Sequence, residues 1–307
     1  MIRSFYPTDL LSFLSFSRQA SANQAIGHDS VGTINLCSPE VFIEQWLPLR
    51  GKRHTWVSTE DDRFSGIASV KSCATPTTWR VDYLQADDED RCVALLEMVN
   101  SAAATHSVRK LQLRLPISSP FIDGARRAGF WSYVRGYLYR YYGDRVQRTT
   151  APPEPYRFRP RARGDDYRLF DLYNDTVPLA VRRAEGLTLE EWQGNREQGS
   201  WPEQRKEFIL YTQDNLVGWL RINASRGPGC FKIISRELED DKLSWLINYA
   251  LICLNNKSSI FCVVLDFQWQ LKRLIVDSGF EPVAEYDNLN KEIAIRATEP
   301  QLVPMQV

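Results

Sequence analysis

The chain of 307 residues contains an internal repeat, and this repeat constrains its fold more than any other feature. Segments 90–104 and 241–255 carry apolar residues at the i, i+3, i+4, i+7 spacing of an amphipathic helix. These residues are Cys92, Leu95, Leu96, Val99 and Ala103, then Leu243, Leu246, Ile247, Ala250 and Leu254. Each residue of the second set follows its partner by 151 positions. The spacing therefore predicts two equivalent helices.

The segments around both helices repeat at nearly the same offset. Two strand-like runs precede each helix and one β-branched and aliphatic run follows it. The runs are 64–70, 79–84 and 110–115 in the first copy, and 216–222, 231–234 and 260–265 in the second. A short helix then ends at Gly129 or Gly279, because glycine adopts the left-handed cap conformation without a Cβ clash. Offsets of 150–152 residues over five elements predict two copies of one α/β domain.

The two copies are expected to join near residues 144–156, giving domains at 1–150 and 151–307. Three prolines within 151–155 disfavour a helix or a central strand and favour an extended connection. Each copy opens with a short strand, near 3–5 and near 156–158. A helix with an Asp or Thr at its N-terminus follows each strand. Residues 299–307 are predicted to form a frayed tail.

The order of elements in each copy resembles the GNAT (GCN5-related N-acetyltransferase) superfamily. The strand–helix–strand unit and the Gly-Phe pairs at 129–130 and 279–280 carry the resemblance. Segment 172–192 is also similar to a stretch in bacterial tandem-GNAT proteins. The resemblance implies an α/β fold of the α+β type, with two tandem domains that are each a mixed, mostly antiparallel sheet flanked by helices. It also implies acetyl-CoA or another acyl-CoA as donor, and a small-molecule or peptide amine as acceptor.

The family binds the pyrophosphate of acyl-CoA at the turn between its fourth strand and the long helix. The family pattern there is Q/R-x-x-G-x-G/A, whose glycines let backbone N–H groups approach the phosphates. The resemblance places Leu84, Gln85, Ile234, Ser235 and Arg236 at this strand and turn. Neither turn contains glycine, and each contains four acidic residues, within 84–91 and 235–242. Because like charges repel the pyrophosphate, we expect acyl-CoA binding to be weak or lost.

A second landmark of the family is a tyrosine four residues before the glycine of the Gly-Phe pair. It often protonates the departing thiolate. Ala125 and Ile275 stand at these positions, and Ser118 and Gln268 stand where the family usually has asparagine. No catalytic residue can therefore be assigned. Two functions remain open: an N-acyltransferase with weakened or lost activity, and a non-catalytic protein that binds a small molecule or serves as a scaffold.

Several other residues have both a functional and a structural interpretation. The candidates for a general base that accepts a proton from an amine are Glu97, Glu190 and Glu191. The aromatic residues that either line a ligand pocket or pack in the core are Trp192, Trp201 and Trp219. The alternating arginines that predict a solvated edge strand, or a contact with an anion, are Arg157, Arg159, Arg161 and Arg163.

Composition argues against other classes of function. A net charge of zero disfavours nucleic-acid binding, and no segment is long and apolar enough for a membrane helix. The three histidines are far apart in sequence and the six cysteines form no C-x-x-C pair, so we expect no metal site. The N-terminus does not resemble a signal peptide, and a cytoplasmic location is expected. The oligomeric state stays open.

Overall fold

A computed structural model describes residues 1–19, 53–61, 63–73, 77–142, 152–197, 205–213, 215–224 and 228–294. The elements of the first half are β1 (Ile2–Ser4), α1 (Leu10–Gln19), β2 (Arg53–Glu60), β3 (Arg63–Ser72), β4 (Thr78–Ala86), α2 (Glu89–Thr105), β5 (Lys110–Pro116), α3 (Ile122–Arg127) and β6 (Trp131–Tyr141). The elements of the second half are β7 (Arg157–Pro160), α4 (Asp166–Thr176), α5 (Leu179–Glu185), α6 (Leu189–Glu197), β8 (Arg205–Thr212), β9 (Asn215–Asn223), β10 (Gly229–Ser235), α7 (Asp240–Cys253), β11 (Ile260–Leu265), α8 (Trp269–Asp277) and β12 (Phe280–Glu292). Trp201 and the predicted tail lie outside the described residues.

The strands form one sheet in the order β1-β2-β3-β4-β5-β12-β6-β11-β10-β9-β8-β7. The β4–β5 and β10–β11 pairs are parallel, and the other neighbours are antiparallel. The predicted α/β class with a mixed, mostly antiparallel sheet is therefore confirmed. The predicted boundaries at 1–150 and 151–307 remain a prediction.

The last strand of each half is exchanged with the other half. β12, from the end of the chain, lies between β5 and β6, and β6 pairs with β11. The cores reflect this exchange, because Leu289 of β12 is buried in the first-half core and Tyr139 of β6 in the second-half core. Each half thus depends on a strand from the other.

The repeated helices bury the residues that the spacing predicts. All five apolar positions of α2 are fully buried, and those of α7 together with Leu254 are at most 1% exposed. Both helices pack their apolar faces on the sheet, as an amphipathic helix must. Gly129 and Gly279 have φ angles of +87° and +85°, which confirms their predicted role after α3 and α8.

Each half opens with the same ion pair. Arg3 of β1 donates two hydrogen bonds to the Asp9 carboxylate, at 2.6 and 2.8 Å. Arg159 of β7 does the same to Asp165, at 2.7 Å for both. In each case the carboxylate also accepts a backbone N–H at the start of a short 3-10 turn. The pair therefore fixes the angle between the edge strand and the first helix.

Of the four alternating arginines, Arg157 and Arg159 lie on the edge strand β7, as predicted, whereas Arg161 follows the strand and Arg163 begins a 3-10 turn. Arg159 binds Asp165, and Arg161 binds Asp166 and lies 3.5 Å from a Glu207 carboxylate oxygen. These guanidinium groups thus already have carboxylate partners within the chain.

The cysteines and histidines show no metal site in the described part of the chain. Its five cysteines are free thiols, and no group of three or more His, Cys, Asp or Glu residues is suitably placed for a metal ion. His54 and His106 are distant in sequence, yet their ring centroids lie 4.8 Å apart beside Trp79. Among the described residues, no helix has the length and apolar character needed to cross a membrane.

Candidate functional site

The two pairs of parallel strands separate toward their C-terminal ends. β4 and β5 are in register from Thr78 opposite Lys110 to Val81 opposite Leu113, and both strands continue beyond that point. β10 and β11 are in register only as far as Phe231 opposite Cys262. In α/β sheets, ligands bind at the carboxyl ends of parallel strands. The two gaps are therefore the first places to look for a site.

Two cavities lie at the gap between β10 and β11. The first, called here the central cavity, has a volume of about 150 Å³ and is lined by both halves of the chain. Its walls include Arg80, Gln112, Arg114, Glu185, Trp219 and Lys232. The second, called here the outer cavity, has a volume of about 420 Å³ and is lined by residues including Asp175, Ser235, Arg236, Glu237, Trp269 and Leu271. Ile234, Phe267 and Gln268 line both cavities.

The Gln268 side chain bridges the two separated strands. Its Nε2 donates to the Ile233 carbonyl oxygen of β10 at 2.8 Å, and its Oε1 accepts from the Leu265 N–H of β11 at 3.0 Å. These two bonds satisfy backbone groups that have no partner on the neighbouring parallel strand, because the pairing of β10 with β11 ends at Phe231 and Cys262. A side-chain amide therefore occupies the gap where the two cavities share a wall.

Carboxylates surround the start of α2 in the first half. Asp88 caps the helix by accepting a hydrogen bond from the Arg91 backbone N–H at 2.7 Å. Arg127, at the end of α3, pairs with Glu89 at 3.1 Å and with Asp90 at 3.0 Å. The carboxylates stabilise the positive end of the helix. A phosphate at this position would face the same carboxylates.

The start of α7 in the second half is similar. Asp240 accepts hydrogen bonds from Gln270 at 2.9 Å and from Arg273 at 2.5 Å. Lys242 lies between Glu239, at 2.8 Å, and Asp241, at 2.7 Å. The basic groups at this turn are thus engaged by acidic neighbours, and the helix start again presents carboxylates.

The predicted cofactor residues have different surroundings in the two halves. Leu84 is fully buried, and Gln85 is buried with its Oε1 accepting from the Tyr83 hydroxyl at 2.6 Å. Neither lines the central or the outer cavity. Ile234, Ser235 and Arg236 do come together in the wall of the outer cavity.

Arg236 is tied to the first helix of the second half. Its Nη2 donates to Asp171 at 3.0 Å and to Asp175 at 2.5 Å, both on α4. The outer cavity therefore has a charged wall in which the cation already has two anionic partners. This arrangement leaves little positive potential for an incoming phosphate.

The predicted general bases do not line either cavity. Glu97 and Glu190 are exposed. Glu191 accepts the Leu187 N–H at 2.9 Å and lies 3.4 Å from Lys110, so it ties α6 to β5. β5 also contacts the neighbouring helix α5, because Gln112 donates a hydrogen bond to the Ala184 carbonyl oxygen at 3.0 Å.

Glu185, at the end of α5, is the acidic residue in the wall of the central cavity. Burial raises the pKa of its carboxyl, while Lys232, Arg80, a hydrogen bond from Tyr133 and then Arg114 act in the opposite direction. The Tyr133 hydroxyl lies 3.4 Å from Glu185 Oε1. Among the described residues, the charged groups in this wall are four cations, Arg80, Arg114, Arg221 and Lys232, and this one carboxyl. The cavity is therefore electropositive.

Three buried hydrogen-bond donors of the central cavity have no partner among the described residues. They are Arg114 Nε, the Tyr173 hydroxyl and Trp219 Nε1. The three residues are 4%, 3% and 5% exposed. Buried polar groups nearly always find a partner, so three in one cavity wall point to a binding role. Trp192 and Trp219 both line the cavity and both pack in a core, which satisfies both interpretations of these residues.

Sequence reasoning missed Arg114, Tyr173 and Glu185. Arg114 lies in the run 110–115, where leucine alternates with polar residues, a pattern typical of a strand with one solvated face. In the structure that polar face meets α5 of the other half, as the Gln112 contact shows. An arginine in the middle of this strand indicates a special position, but the sequence does not show that α5 of the other half packs over this face of β5.

Comparisons with known proteins agree with this architecture. No protein-family profile and no curated protein matches the chain. A tandem GNAT protein from the clavulanic acid biosynthesis pathway superposes with a TM-score of 0.58 at 12% identity, over 97% of this chain and 99% of its own. A GCN5-related N-acetyltransferase from Sphaerobacter thermophilus superposes with a TM-score of 0.60 at 14% identity, over 95% of each chain. The repeat, the exchanged sheet and these superpositions agree: the chain has the tandem GNAT fold.

Proposed function

We propose that this protein binds a small molecule in the central cavity and that its acyl-CoA-dependent N-acyltransferase activity is weak or lost. The observation that carries the proposal is the Gln268 bridge between Ile233 and Leu265. In a transferase of this fold, donor and acceptor must meet through the gap between the parallel strands. Here a hydrogen-bonded amide spans that gap.

The two helix starts support the same proposal. A pyrophosphate needs backbone N–H groups and positive potential at a helix N-terminus. Asp88 already accepts one such N–H, and the second turn holds Glu239, Asp240 and Asp241. Two like charges 4 Å apart repel by about 1 kcal/mol in water, and by more as the site loses water. The residues at both turns thus do not fit acyl-CoA.

The second candidate function is an N-acyltransferase, and Glu185 is the observation that favours it. A carboxyl with a raised pKa that faces a cavity is suited to accept a proton from an amine. An amine acceptor in the central cavity would lie next to this group. This candidate requires a donor, and the two acidic turns and the Gln268 bridge oppose the family's donor.

An acyl-transfer assay separates the two functions. The full chain is incubated with acetyl-CoA and a panel of small amines and amine-bearing peptides, and free thiol release is followed. We expect release no faster than hydrolysis without protein. Amine-dependent release that Glu185→Gln abolishes, and that Glu190→Gln on the exposed surface leaves intact, would establish the transferase instead.

We also propose a cytoplasmic location, with no nucleic-acid or membrane partner. The five free thiols in the described part of the chain and the zero net charge of the sequence support this proposal. Fractionation of cells that express the tagged chain tests it, and recovery from membrane pellets at low and high salt would contradict it.

A further inference from the structure

We propose that the ligand of the central cavity carries a carboxylate that binds the guanidinium of Arg114, with Tyr173 and Trp219 as additional donors. This inference rests on the proposed binding function, but it does not depend on whether acyl-CoA is used.

Arg114 is a buried cation that forms no ion pair with a described carboxylate. It is 4% exposed, its Nε has no hydrogen-bond partner among the described residues, and Glu185 in the same cavity wall acts on it electrostatically without an ion pair. Its guanidinium carbon lies 4.3 Å from the centroid of the Tyr286 ring. Burial lowers the pKa of Arg114, which reflects the cost of a charge removed from water. A fold retains such a cost where a ligand supplies the missing anion.

Arg53 shows how this chain treats a buried arginine that has a structural role. Arg53 is 7% exposed, and it donates to both Asp82 carboxylate oxygens, at 2.8 and 2.7 Å. It also donates to the Ser69 hydroxyl at 2.9 Å. Both arginines are buried, yet only Arg53 forms an ion pair with a described carboxylate. Arg53 is therefore a matched control for Arg114.

The other two donors come from different elements and line the same cavity. Tyr173 lies on α4 and Trp219 on β9, whereas Arg114 lies on β5 of the other half. A planar guanidinium fits the two oxygens of a carboxylate, and a hydroxyl and an indole N–H can donate to the same group. The site is thus assembled from both copies, and a single copy would lack part of it.

The size and the other walls indicate a compact ligand with an apolar body. A cavity of about 150 Å³ is large enough to hold a molecule of about the size of benzene. Apolar residues of the wall include Val177, Trp192, Val263, Leu265 and Phe267. The structure therefore favours a small organic acid over an inorganic anion or a nucleotide.

Benzoate and butyrate are suitable probes, with benzamide, benzylamine and inorganic phosphate as matched comparisons. Their effect on the melting temperature of the full chain is measured first, because a ligand that binds only the folded state raises it. We expect a rise with a carboxylate that saturates and no rise with the amide or the amine. A rise with benzamide equal to that with benzoate, a rise with phosphate alone, or no rise with either acid would each overturn the proposal.

Two substitutions separate a ligand-binding arginine from a structural one. Arg114→Met should abolish the response to carboxylate while leaving the melting temperature without ligand unchanged or higher, because an unpaired buried charge is removed. Arg53→Met should lower the melting temperature, because it leaves Asp82 without its partner. An Arg114→Met protein that is destabilised as much as Arg53→Met would show that Arg114 is structural.

Calorimetric titration of the milder variants keeps the test decisive if Arg114→Met does not fold. Tyr173→Phe and Trp219→Phe should each weaken carboxylate binding about tenfold, since each removes one hydrogen bond to a charged group. Arg114→Lys should weaken it further, because an ammonium lacks the planar fork. Unchanged affinity in all three would contradict the assignment. Carboxylate binding together with rapid acyl transfer would uphold this inference and refute the proposed function.

Discussion

Gln268 donates a hydrogen bond of 2.8 Å to the carbonyl oxygen of Ile233, across the gap where β10 and β11 have separated. The same side chain accepts the N–H of Leu265 on the other strand. One glutamine thus joins two strands that no longer join each other. This contact distinguishes the second gap from an open cleft.

Replacing Gln268 should therefore destabilise the fold. Gln268→Ala leaves the Ile233 carbonyl and the Leu265 N–H without their partner, and Gln268→Glu keeps the acceptor but loses the donor. We expect each to lower the free energy of unfolding by about 1–3 kcal/mol, measured by urea denaturation. Val276→Ala, at an exposed position of α8, the helix that follows Gln268, should change the free energy of unfolding by less than about 0.5 kcal/mol. If Gln268→Ala and Gln268→Glu are as stable as Val276→Ala, the Gln268 bridge does not stabilise the fold.

The repeated ion pairs should contribute equally in the two halves. Hydrogen bonds from Arg3 and Arg159 lower the pKa of Asp9 and of Asp165. Asp9→Asn and Asp165→Asn should each lower the free energy of unfolding by about 1.5–3 kcal/mol at neutral pH, since a hydrogen bond to a charged group is lost. Asp123→Asn, in an exposed pair with Arg126, should cost less than about 1 kcal/mol.

The pH dependence of these variants has a fixed sign. A carboxyl whose pKa is lower in the folded state binds its proton more tightly when unfolded. It therefore stabilises the fold above its ordinary value of about 3.9, and this contribution is lost as the pH falls toward the folded pKa. The difference in the free energy of unfolding between wild type and Asp165→Asn should be constant near pH 7. In urea titrations it should narrow as the pH falls below about 4. A difference that widens in acid would contradict the assignment.

Glu185 should show the opposite dependence. Burial raises its pKa, so the folded state binds the proton more tightly than the unfolded state. Its carboxyl therefore costs stability as the pH rises above its ordinary value of about 4.3 through the folded pKa. Relative to wild type, Glu185→Gln should therefore become more stable as the pH rises through that window, as measured by urea denaturation. A loss that grows with pH would show that Glu185 is held ionised by Arg80 and Lys232.

The exchanged strands predict that neither half folds by itself. Leu289 of the second half is buried in the first core, and Tyr139 of the first half is buried in the second core. Chains 1–150 and 151–307, produced separately, should lack a cooperative thermal transition by circular dichroism, and mixing them should restore one. A half that melts cooperatively alone and runs as a monomer would show that β6 or β12 can pair within its own copy.

The sequence predicts local elements well and their pairing poorly. The spacing from Cys92 to Ala103 marks a buried helix face, and Gly129 and Gly279 mark helix ends, because these features depend on neighbours along the chain. The position of β12 between β5 and β6 does not depend on neighbours along the chain. Two copies with the same sequence pattern can place their last strands in either half of the sheet without a change in hydrophobic periodicity. The exchange is therefore visible only in the structure.

The candidate site was predictable only in part. Ile234, Ser235 and Arg236 line the outer cavity, and their predicted role in cofactor binding stays a prediction. Arg114 and Glu185 were missed because they line one cavity only when α5 of the second half packs on β5 of the first half. An arginine between leucines in a strand indicates a polar face, and the sequence alone does not show that this face is covered.

We propose that the working site of this tandem GNAT fold is the central cavity and not an acyl-CoA groove. Calorimetric titration of acetyl-CoA into the full chain tests it most directly, with Arg236→Ala and Gln85→Ala beside the wild type. We predict no saturable binding with a Kd below about 1 mM, so any binding free energy should be weaker than about −4 kcal/mol. Micromolar binding by the wild type that either substitution abolishes would contradict the account.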